Sequence, residues 1–134
     1  MTWRNLAIVL PLVTLTGVAH ARTAPLVEPE RMLLPAAQGK ARGVDNVRAA
    51  IISGGQSLGW SVLQDEPGKL TLKYNKQGKH EVVVDALYDE QSYQLRYVDS
   101  TNMNYNKDDS GANIHPNYNR WIRNLIKYIG SAAR

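Results

Sequence analysis

Residues 69–89, KLTLKYNKQGKHEVVVDALYD, decide the fold. Leu70, Leu72 and Tyr74 alternate with Lys69, Thr71, Lys73 and Asn75, which is the period of a strand with one buried and one wet face. Gln77-Gly78 then supplies a turn. His80 to Asp89 is a second, longer strand. Val82, Val84, Ala86 and Tyr88 share one face, and Val83 and Leu87 populate the other. A strand apolar on both sides belongs in the interior of its sheet. The hairpin extends in both directions. Upstream, Trp60 to Gln64 is a strand, closed by a turn at Pro67-Gly68. Downstream, Tyr93 to Asp99 is a fourth, with Tyr93, Leu95 and Tyr97 against Gln94, Arg96 and Val98.

The sheet is flanked by helical periods. Val44 to about Ser57 places Val47 and Ile51 near one face, with Asp45 in the first turn, where a negative charge suits the helix dipole. From Pro116 or Asn117 to about Ile129, a broad stripe of Tyr118, Trp121, Ile122, Leu125, Ile126 and Ile129 predicts a second helix, with Gly130 as its stop. Between strand and helix, residues 100–116 read as a long polar loop. The element order is α-β-β-β-β-α. It predicts an α+β fold: a four-stranded antiparallel sheet with two helices packed on one face.

The N-terminal part reads differently. Residues 1–5 carry one charge, Arg4. Leu6 to Val18 is apolar, and Ala19-His20-Ala21 has the small-x-small pattern of a signal-peptidase site. The apolar run is shorter than the roughly 20 residues of a membrane span. Residues 1–21 are therefore expected to be a cleaved signal peptide, leaving no transmembrane segment and a periplasmic chain. Residues 22–43 hold Pro25, Pro29 and Pro35 and read as a proline-rich tether, with one short edge strand open at Arg31-Met32-Leu33-Leu34. Residues 44–134 form the single domain. The 134 residues are 43% hydrophobic and 21% charged, which argues against wholesale disorder. There is no Cys, which removes disulfides and lipid attachment through a cysteine. Loss of Arg4 with the leader would leave 15 basic against 12 acidic residues, a net charge of +3. That mild excess suits attraction to anionic envelope polymers. It does not suit nucleic acid, since no dense Lys/Arg cluster appears.

Polar groups concentrate in the last third. Asp99, Ser100, Asn102 and Tyr105 precede His115, Tyr118 and Asn119. Arg120, Arg123 and Lys127 line the polar side of the last helix. Histidine is the side-chain type best suited to proton transfer near neutral pH, so His115 fits either general acid-base work or a structural bond that ties the loop to the sheet. No Gly-x-Ser-x-Gly elbow accompanies Ser100, so a triad of Ser100, Asp99 and His115 lacks its usual frame. Asn106-x-Asp108-x-Ser110-Gly111 resembles the first half of a calcium loop. Asn117 stands where that loop needs a bidentate Glu, so no metal is expected. Only His80 and His115 remain after the leader, which is too few ligands for zinc. No cofactor is expected.

The combination of Gly59-Trp60, Tyr97-x-Asp99-Ser100-x-Asn102 and Ile114-His115-x-x-Tyr118-Asn119-x-Trp121-Ile122-x-Asn124-Leu125 resembles a family of small proteobacterial envelope proteins and lipoproteins of unassigned function. The similarity spans roughly residues 44–129 and departs in lacking a lipobox cysteine. It implies an envelope compartment and lends no activity. The expectation is thus a non-enzymatic periplasmic binding or adaptor module. Its partner would be an envelope protein or an anionic cell-wall or outer-membrane component, met through the polar residues above. The alternative is a small periplasmic enzyme centred on His115, with Asp99, Ser100 or Tyr105 assisting. A shallow exposed patch would favour the module, and a concave site with His115 at its floor would favour the enzyme.

Overall fold

The computed structural model describes residues 22–36 and 42–134, together with Pro11; the expected leader thus lies almost entirely outside the described residues. In chain order the elements are β1 (Ala24–Pro25), β2 (Met32–Leu33), α1 (Val44–Ser57), β3 (Ser61–Glu66), β4 (Lys69–Lys76), β5 (His80–Tyr88), β6 (Ser92–Thr101), β7 (Asn106–Asp108), β8 (Gly111–Ile114) and α2 (Asn117–Ala132). The protein is α+β, with antiparallel strands and two helices. The sheet differs from expectation. It has five strands in the order β2-β6-β5-β4-β3, and a second sheet of three runs β1-β8-β7.

Within the large sheet β3 to β6 form the expected meander, and β5 is its middle strand. The turns follow their residues. Gln77 and Gly78 both have positive φ, 56° and 70°. Two successive positive φ values make the primed turn that suits a hairpin; the Lys79 N–H closes it on Lys76 O at 3.0 Å, and three residues, Gln77 to Lys79, join Lys76 to its partner His80. Gly68, at φ 76°, follows Pro67 in the tight turn between β3 and β4. On one face Leu70, Leu72, Val82, Val84, Ala86, Tyr93 and Leu95 are buried, and they join Val47 and Ile51 of α1 and Tyr118, Trp121, Ile122, Leu125 and Ile129 of α2 in one core. The other face is mixed, with half-buried Val83 and Leu87 among polar side chains. Lys73 pairs with Glu81 at 3.6 Å, and Thr71 donates to Asp85 at 2.7 Å.

Two readings of the C-terminal third are corrected. The segment expected to be a loop over residues 100–116 holds the end of β6 and the hairpin of β7 and β8. Its strands are short and almost wholly polar, so no alternation marked them. α2 also runs through Gly130 to Ala132. A single helical glycine costs only about 1 kcal/mol, and here Ala133, buried beyond it, keeps the last turn on the core.

Residues 24–34 form a strap. Ala24 and Pro25 pair with Ile114 and Asn113 of β8, and Met32 and Leu33 pair with Tyr93 and Ser92 of β6. Asn119 holds the stretch between them through both atoms of its amide: its Nδ2 donates to Pro25 O at 2.9 Å and its Oδ1 accepts from Val27 N at 3.0 Å. Leu34 reaches the core at 6% exposure.

Candidate functional site

β6 and the chain just after it build the most distinctive surface. Opposite Val83 and Val84 the register slips, so that Val84 faces Tyr97, Val83 faces Asp99, and Val98 is the extra residue of a bulge. Bulges re-aim the side chains around them and are common beside functional sites. Here the bulge leaves Val98 exposed, and Tyr97 stays on the core side with its hydroxyl 2.7 Å from Ser100 Oγ. Asn102 and Asn104 then take left-handed backbone conformations, φ 58° and 54°. Asparagine tolerates that region better than most residues. Between them Met103 is buried, and its carbonyl accepts the His115 N–H at 2.7 Å.

The result is a fold-back that lays Tyr105 on Tyr97. Their rings stack with centroids 4.4 Å apart and planes 17° apart. Tyr118, fully buried, meets Tyr97 edge-on at 5.7 Å. Tyr97, Val98, Asp99, Ser100, Asn102, Asn104 and Tyr105 surround a shallow hollow of about 550 Å³. Burial holds the Tyr97 hydroxyl above its ordinary pKa, so it stays protonated and acts as a neutral hydrogen-bonding group. Asp99 turns one carboxylate oxygen onto the Ser100 N–H at 2.8 Å.

Four of the residues expected from sequence, Asp99, Ser100, Asn102 and Tyr105, therefore meet in one place. The others are elsewhere. His115 is not among the residues lining this hollow. Its Nδ1 accepts the Asn117 N–H at 3.1 Å, which satisfies the first amide of α2. With Nδ1 accepting, the ring proton sits on Nε2. The neighbouring His80, ring centroid 5.9 Å away, has the opposite arrangement: its Nδ1 donates to Asn102 O at 2.8 Å. The imidazole-to-carbonyl bond that suits a loop-tying histidine thus belongs to His80. Ser100 Oγ and His115 Nδ1 are each committed to other partners, and no relay links them to Asp99. Tyr118 is core, Asn119 is the strap clamp, and Arg120 donates to Asn117 Oδ1 at 2.9 Å. Arg123 and Lys127 are exposed on α2. The calcium-like stretch is a turn: Asp108 accepts from Ser110 N at 2.8 Å and Ser110 Oγ at 2.5 Å, and no group of three metal-binding side chains occurs among the described residues.

Sequence reasoning left out Tyr97 and Asn104 as site residues. Tyr97 carries the strand's alternation and so reads as core. Asn104 carried a usable signal, since Asn-x-Asn-Tyr after a strand predicts left-handed turns and a reversal. Comparison with family models, curated proteins and solved structures finds no match for this chain.

Proposed function

We propose that the chain is a non-enzymatic binding or adaptor module of the bacterial cell envelope, exported to the periplasm, and that the Tyr97–Tyr105 hollow is its contact surface. One observation carries the reading: the polar residues converge on a shallow, open hollow beside an exposed aromatic ring, while His115 is occupied at the start of α2. An exposed tyrosine offers a large contact area with a polar end, and asparagine and serine supply adaptable hydrogen bonds. An envelope protein or a cell-wall or outer-membrane component is the partner class. Export is supported by the apolar run and the Ala19-His20-Ala21 pattern, and no helix among the described residues is long and apolar enough to cross a membrane.

The test is photocrosslinking in intact cells with a photoreactive residue in place of Tyr105, beside the same residue at Lys107 on the exposed β7. A discrete adduct from position 105, absent from 107 and lost on adding Asn104→Ala, is expected. Equal labelling from both positions removes the hollow as the contact surface. The intact mass of the envelope-fraction protein tests export, with an N-terminus at Arg22 expected and one at Met1 refuting it.

A further inference from the structure

A second hollow, independent of the first, lies between the strap and the C-terminal half of α2 and encloses about 530 Å³. Its walls are of two kinds. Met32, Leu34, Tyr93 and Ile126 give an apolar floor, and Arg42, Lys127 and Arg134 stand around it. No Asp or Glu lines it. Nor does any residue outside the described set supply one, because residues 1–10, 12–21 and 37–41 contain no acid at all. The described hollow beside α1 is different, with Asp45, Asp65 and Glu66 around Arg48. The single sign of the side-chain charge is thus local to this hollow and does not simply restate the mild net charge of the chain. At its lip Leu33 is 72% exposed, the largest value among the exposed large hydrophobic residues.

We infer that this hollow receives an anionic lipid from a membrane surface, its acyl chain over Met32 and Ile126 and its headgroup against Arg42 and Lys127. The chemistry of the walls sets the occupant. An apolar floor without cations would suit any greasy segment, and cations without a floor would suit any polyanion; the two together match an amphiphile with a negative head. Arg42 is oriented for this, since its Nε donates to Pro35 O at 2.7 Å, and its two terminal nitrogens make no hydrogen bond among the described residues. Leu33 projects where an aliphatic side chain enters the acyl boundary of the same leaflet.

The chain beginning at Arg22 is sedimented with phosphatidylglycerol vesicles and, separately, with phosphatidylcholine vesicles in about 0.1 M salt, where surface charges still act over about 10 Å. Binding to the anionic vesicles alone is expected. Lys127→Glu should weaken it roughly tenfold or more, given the strength of a single basic residue at an anionic surface. Leu33→Ser should weaken it as well. Arg96→Glu, the same charge change on the exposed face of β6, should leave it nearly unchanged. Melting curves show whether each variant stays folded. The inference is overturned by equal binding to both vesicles, by no binding, or by an Arg96→Glu loss equal to that of Lys127→Glu. It is also overturned if the chain is a dimer that Lys127→Glu splits and that does not bind lipid, because a second copy then fills the hollow. None of these outcomes depends on the Tyr105 contact.

Discussion

Asp89 shows how one turn residue ties the strap to the large sheet. Its Oδ1 accepts from Gln91 N at 2.9 Å and from Ser92 N and Oγ, both at 2.8 Å; its Oδ2 accepts from Arg31 Nη2 at 2.9 Å. Bonds from the Gln91 amide and the Ser92 hydroxyl lead in holding the carboxyl at about 2, well below its ordinary value. Because the folded value is the depressed one, Asp89 contributes its stability above the ordinary carboxylate range and loses it as pH falls from about 4 toward 2. Asp89→Asn should therefore lower the urea midpoint at pH 6 and flatten its fall between pH 4 and pH 2.5; parallel curves for variant and wild type would refute the assignment. The group is half-exposed, so the effect is modest. His115 is the second residue whose worth is local. His115→Ala leaves the Asn117 amide without its acceptor, and no other side chain caps α2. A loss of about 1 kcal/mol in urea unfolding is expected, the usual value of a helix cap; an unchanged midpoint would show that water replaces the ring. Sequence marked His115 as worth attention but not its bond, because a turn two residues long fixes which ring atom faces the helix.

At the scale of elements, the helix pair depends on a glycine whose role was hidden. In sequence Gly54-Gly55 looks like a weakness in the last turn of α1. In the structure α1 and α2 cross there, and a Cβ on Gly54 would lie 2.6 Å from Ile129 N and 2.7 Å from Ile129 Cα. Backbone cannot yield as a side-chain tip can. Gly54→Ala, which in an isolated helix would gain about 1 kcal/mol of propensity, should instead destabilise by roughly 1–3 kcal/mol as the helices are pushed apart. Gly55→Ala is the control, since its Cβ would meet Trp60 Cβ at a tolerable 3.4 Å. Chemical denaturation of the two variants separates them; equal midpoints would mean that α2 shifts freely along α1. The helices and hairpins were legible because their signals are local: a period, a Pro-Gly, a Gln-Gly. The second sheet was not. Pairing Ala24 with Ile114 depends on residues far apart in the chain, and β7 and β8 are three and four residues long. Strands that short carry too few side chains for any period to show.

For the whole molecule, the question is whether the strap belongs to the fold or merely rests on it. By its prolines and its lack of a period the stretch 22–43 reads as a tether, with no more than one short edge strand at Arg31-Met32-Leu33-Leu34. In the structure residues 24–34 join β8 at one end, the side chain of Asn119 in the middle, and β6 and the core at the other. Its two short strands cannot hold alone, since an isolated ribbon is marginal at best. Burial has to anchor them, and Leu34 is the side chain that supplies it. Leu33 and Leu34 give a paired test, the same residue type on adjacent positions, one 72% exposed and the other 6%. Leu34→Ala should cost roughly 2–4 kcal/mol, as for leucine truncations in cores, and should free the strap to protease. Leu33→Ala should stay within about 0.5 kcal/mol, as for surface changes. Both are read from urea unfolding, with limited proteolysis before Gly43 as the second measure. If Leu34→Ala exposes the strap to protease while the urea midpoint holds, strap and domain are separate cooperative units, and residues 22–43 are a tether after all. If both measures move together, the strap is a structural layer of the protein, and an N-terminus at Arg22 leaves only Arg22 and Thr23 ahead of the first strand.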